Sequence, residues 1–134
     1  MTPEQWLANH YPVPASALSE ATDEECLLHC EKKWEGAKTE NLPEGMTYSE
    51  HCVGIDGFGL IFDCDTCALC HKYGYEAGSC ENNDGIKCPI VRMQGFTCCH
   101  TPFNHMGTFE QSENDPSPMI DLLKRTLEFV RNGG

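Results

Sequence analysis

The chain has 134 residues, 40% of them hydrophobic, with ten cysteines, six histidines and a formal net charge of −12 at pH 7. That length is one domain's worth, with a modest core that calls for staples, and the charge repels phosphate backbones, which argues against a conventional nucleic-acid binder. No apolar run approaches a membrane span, and the first half, with three Lys/Arg against thirteen Asp/Glu in residues 1–66, carries most of the negative charge.

The first twenty residues contain Glu4, Pro12 and Pro14 but no basic start or apolar stretch, so no signal peptide is expected. Thr2-Pro3-Glu4-Gln5 supplies an N-cap, a proline at N1 and Gln at N3, and predicts a short first helix anchored by Trp6 and Leu7. Tyr11-Pro12-Val13-Pro14 must then be extended, because each proline fixes its own φ and restricts the residue before it. Thr22-Asp23-Glu24-Glu25 is a capping box with acids that suit the helix dipole; it opens a second helix that Gly36 is expected to stop. Leu27, Cys30 and Trp34 share one stripe, the buried face, with Cys26 and His29 at its edge. Residues 53–55 and 58–62 flank Asp56-Gly57, a hairpin signal whose second strand leads to Cys64. Residues 71–109 are rich in Gly, Asn and Cys and lack periodicity, as expected where metal ligation replaces a core. The last element is a helix opened by Ser117-Pro118, or slightly earlier by Asp115-Pro116. Its apolar face is Met119, Leu122, Leu123, Leu127 and Val130, and Gly133 closes it.

Ten cysteines suit either five bridges in an exported protein or thiolates around zinc in a reducing compartment. The lack of an export signal and the spacing favour zinc. Cys64, Cys67 and Cys70 form a CxxCxxC run, and a CxxC turn places two thiolates within reach of one tetrahedral ion. Cys67 and Cys70 are the first ligand candidates. Cys88 and Cys98 are favoured to complete the set, since Pro89 stiffens the turn that presents Cys88, and Cys80 is next in line. Cys26 and Cys30 stand at i and i+4 and could take part in a second site with His29, Cys52 and Cys64, although a cysteine on the Leu27–Trp34 stripe is also an ordinary core residue. Thioredoxin-like chemistry wants its CxxC at the start of a helix in a βαβ setting, so ligation fits this hairpin-led motif better.

Several pieces, taken in order, resemble one family of small, uncharacterised proteins encoded by tailed bacteriophages and regarded as metal-binding. They are Tyr11-Pro12-Val13-Pro14, Lys33-Trp34-Glu35-Gly36, Glu40-Asn41-Leu42, Cys67-Ala68-Leu69-Cys70, Cys88-Pro89-Ile90 and the step from Cys98 to Thr101-Pro102-Phe103. The resemblance spans residues 1–103. It implies a phage origin and a metal; it implies no activity.

The fold class expected from these signals is a small α+β domain. Amino-terminal helices precede a β-hairpin that enters a zinc knuckle of zinc-ribbon or treble-clef kind, and an amphipathic helix follows. Residues 1–134 form a single domain in this reading, with an arm at 1–16, a Cys-rich metal-binding segment at 64–103 and a carboxyl helix at 117–131. The function expected is that of a zinc-stabilised phage accessory protein in the host bacterial cytoplasm. It would act without catalysis by binding a host or phage macromolecule, a protein rather than nucleic acid, through its acidic face. The rival is a zinc-dependent hydrolase-like enzyme with an open site near Cys99, His100 and His105.

Overall fold

Thr2 caps the first helix, α1 (Pro3–His10), in a closed box: the Gln5 amide donates to Thr2 Oγ1 at 3.2 Å and the Thr2 amide donates to Gln5 Oε1 at 2.8 Å. In this computed structural model the described residues are 2–42, 54–55, 60–61, 68–73, 88–94 and 116–134. After the two prolines a 3-10 turn, Ala15–Leu18, reverses the chain into α2 (Asp23–Glu35), which Thr22 and Glu25 cap in the same way. A short 3-10 turn, Thr39–Asn41, follows α2, and three further α-helices are described: α3 (Ala68–Tyr73), α4 (Pro89–Gln94) and α5 (Ser117–Arg131).

The helix α2 is the organising element. Its inner face carries Cys26, Leu27, Cys30 and Trp34, all buried. Against it packs α5, through the stripe Met119, Ile120, Leu122, Leu123 and Leu127, with α1 and α3 on other sides of α2 and α4 against α5. The Trp6 indole N–H donates to the Gly36 carbonyl at 3.0 Å and the His10 ring Nδ1 lies 3.0 Å from the Lys32 carbonyl, so α1 is tied to the carboxyl end of α2 by polar as well as apolar contact. Buried Thr126 returns its hydroxyl to the Leu122 carbonyl at 2.8 Å, which leaves no hydroxyl proton unspent on the packed side of α5.

This architecture corrects the α+β expectation. The described residues are mainly helical, and the core they build comes from helices. Gly54–Ile55 pairs antiparallel with Leu60–Ile61, but two residues on each side make no sheet layer, since an isolated two-stranded ladder is marginal even when long. The zinc-ribbon or treble-clef entry therefore does not stand. Cys70 lies inside a helix that starts at Ala68, where a knuckle turn was expected. Part of the segment 64–103 also joins the core. Ala68, Leu69, Tyr73, Cys88, Pro89, Ile90 and Val91 are buried, so two short helices within it contribute to the common core.

Candidate functional site

The candidate ligands fall into two groups. Cys52, Cys64, Cys67, Cys80, Cys98, Cys99, His100 and His105 lie outside the described residues. Of the others, Cys70 is placed in α3, and Cys88 directly precedes α4 as a buried thiol, 5% exposed. Cys26 and Cys30 are thiols in the core under α2, and the Cys26 S–H donates to the Leu18 carbonyl at 3.5 Å. His29 is packed with its ring 5.0 Å from that of Tyr11, and its Nε2 donates to the Val13 carbonyl at 2.7 Å. Among the described residues no three His, Cys, Asp or Glu side chains converge as a metal group.

One polar cluster does draw α2, α3 and α4 together. Asp23, at the first turn of α2, accepts from Tyr73 Oη at 2.5 Å and Lys72 Nζ at 2.9 Å on one oxygen, and from Arg92 Nη2 at 2.7 Å on the other. A single carboxylate thus holds the end of α3 and the middle of α4 against the start of α2. Burial pushes the Asp23 carboxyl up, but the hydrogen bonds from Tyr73 and Lys72 and the charges of Lys72 and Arg92 outweigh it and hold it below the ordinary aspartate range. Burial, together with the same contact, pushes the Tyr73 hydroxyl well above the usual tyrosine value; the Cys88 thiol is close enough to add to that push. Arg92 also reaches the Gly134 carbonyl at 3.3 Å, and Arg131 pairs with Glu24, which fastens the end of α5 to the same corner.

The outer face of α2 has a different character. Glu25, Leu28, His29, Lys32 and Glu35 recur on one side of the helix and, with Glu31, Pro12, Val13 and Leu18, line an open groove of about 540 Å³. Among the described residues the large hydrophobic side chains left exposed are Val13, at 41%, and Leu28, at 43%, and both line this groove. A second hollow adjoins it across Leu28 and Glu31 and is walled by Lys124, Leu127, Glu128 and Arg131. Lys124 reaches Glu31 and Glu35 only at 3.9 and 4.0 Å from a side chain that is 57% exposed, a pairing that water screens.

Sequence reasoning passed over this groove. The signal was there in Leu27-Leu28: two adjacent leucines on a helix point about 100° apart, so with Leu27 on the buried stripe Leu28 has to face outward. The Asp23 cluster carried no comparable signal, because its partners are 49, 50 and 69 residues away in the chain. No helix among the described residues is long and apolar enough to cross a membrane. Comparison with protein-family models, with curated proteins and with solved structures finds no match to this chain.

Proposed function

We propose that the protein acts without catalysis, by binding a protein partner through the groove on the outer face of α2. One observation carries this reading: the exposed large hydrophobics of the described residues, Val13 and Leu28, are gathered in a single concave site instead of being scattered. Scattered exposed apolar side chains are ordinary, whereas a concave cluster with a polar rim is the form taken by interaction surfaces. The net charge of −12 supports a protein partner over a nucleic acid. The family resemblance supports a phage accessory role in the host bacterial cytoplasm, with a host or phage protein as partner. Zinc on Cys67, Cys70, Cys88 and Cys98 is part of the proposal as a structural ion, supported by the CxxC spacing and by the Asp23 cluster, which ties α3, bearing Cys70, and α4, beginning beside Cys88, to the same end of α2.

The test is affinity capture from bacterial lysate with the wild-type chain beside Leu28→Glu, washed at low and high salt. A partner should be retained by the wild type, released at high salt and lost with the variant. If the two chains recover the same proteins, the groove is not the binding surface.

A further inference from the structure

The chemistry of the groove narrows the partner, and this step rests on the binding reading above. We infer that the groove takes a basic, amphipathic protein segment, one that lays leucine-sized side chains on Val13, Leu18 and Leu28 and sets Lys or Arg against Glu25, Glu31 and Glu35. The floor is apolar, and Leu18 joins it to the core, so a guest side chain is met by packed atoms and not by a loose loop. Of the charged residues lining the groove three are acidic and one, Lys32, is basic. Their local partners satisfy them in part: Glu25 closes the cap at Thr22, and Glu35 meets Lys38 at 2.9 Å. The lining itself keeps a net negative charge, with three carboxylates against Lys32, and Lys124 of α5 reaches Glu31 and Glu35 only at 3.9 and 4.0 Å from an exposed position that water screens. Opposite charge on the guest speeds encounter and fixes register, while like charge is turned away.

The same arithmetic removes other occupants. A lipid surface of anionic headgroups or a nucleic acid would be repelled. A second copy of this chain brings the same net charge of −12 and nine Lys/Arg in its whole length, which opposes self-association. A groove of about 540 Å³ also lies in the range that holds a few side chains with a small number of polar contacts.

The probe is a fluorescent synthetic amphipathic peptide of leucine and lysine, titrated with the full chain and read by anisotropy. Companion peptides carry glutamate in place of lysine, or serine in place of leucine. The leucine–lysine peptide should bind saturably at one site, weaken as salt rises and outcompete both companions. Leu28→Glu is the decisive variant, because it adds a negative charge. Binding by bulk electrostatics would be strengthened by it, whereas docking in the groove should weaken by about tenfold or more. Asn9→Glu adds the same charge at an exposed position of α1 and should not weaken binding. Circular dichroism confirms that each variant is folded. A peptide that fails to bind, or that binds Leu28→Glu as tightly as the wild type, overturns the inference. Lysate capture lost with Leu28→Glu alongside a non-binding basic peptide would leave the binding function standing and remove only the basic, amphipathic character of the partner.

Discussion

The carbon that Gly36 lacks would lie 2.6 Å from Trp6 Cζ2 and 2.7 Å from His10 Cγ. The sequence marks Gly36 as a helix stop, and a left-handed cap is the usual reason for glycine there. The backbone gives another reason: at φ −65° and ψ −18° the residue is ordinary right-handed helix, and what it supplies is room for α1 to close on α2. This decides the sign of a substitution. Gly→Ala at a relaxed helical position stabilises by about 0.4–1 kcal/mol through the unfolded chain. At Gly36 overpacking should exceed that gain, and Gly36→Ala should lower stability by about 1–3 kcal/mol. Urea unfolding followed by tryptophan fluorescence checks it, and an unchanged midpoint would mean that α1 is not seated as described. Cysteine shows the same limit of residue-level reading. The stripe of Leu27, Cys30 and Trp34 was legible as core from its spacing, but whether a thiol on it packs or binds metal depends on residues far away in the chain, and these no local pattern names.

Among the elements, α1, α2 and α5 were legible because each announces itself through a cap or a proline at its start, with an apolar stripe along α2 and α5 and the anchors Trp6 and Leu7 in the short α1. Of a different kind are α3 and α4. Six residues give no helical period to read, and isolated helices of that length are marginal in water, so tertiary contacts must hold them. The one local clue was Pro89 at the first position of α4, read from the sequence as a stiffener for a metal-binding turn. What fixes both helices is Asp23, which is 17% exposed and engaged by Lys72, Tyr73 and Arg92. Its carboxyl is held below the ordinary aspartate range, so the folded state binds that proton less readily than the unfolded chain. The stability it contributes is complete above the unfolded value of about 3.9 and is lost as pH falls through the lower folded value. Asp23→Asn should therefore cost about 1–3 kcal/mol near neutral pH, allowing for the partial exposure of its partners. The gap between wild type and variant should close as pH drops below about 4. Urea unfolding at a series of pH values measures both curves; parallel curves would show that Asp23 is not titrating in this network.

At the scale of the molecule, one helical body absorbs two short helices from the segment that the sequence assigned to metal. The expectation that metal ligation replaces a core in residues 71–109 does not extend to Tyr73, Ile90 and Val91, which are buried with Leu69 of α3 and the side chains of α2 and α5. The proposed zinc thus has less to do for those helices than a ribbon fold would demand. It would reinforce a junction that Asp23 already holds, and its removal should act locally. Chelation at neutral pH should lower amide-exchange protection in α3 and α4 first, with the α2–α5 pair retained, and the effect should grow as pH falls because protons compete for thiolate. Elemental analysis should find bound zinc in the wild type and less of it in Cys67→Ser, Cys70→Ser and Cys88→Ser. Cys88 gives the sharpest reading, since a thiol that is 5% exposed also fits a purely packing role. As a ligand, it should lose zinc on replacement by either serine or alanine. As a packing residue, it should keep full zinc in both variants, with alanine the better tolerated because it buries no hydroxyl. Full zinc in both Cys88 variants would remove it from the ligand set, and a wild-type chain that carries no zinc when purified without chelator would remove the ion from the proposal altogether.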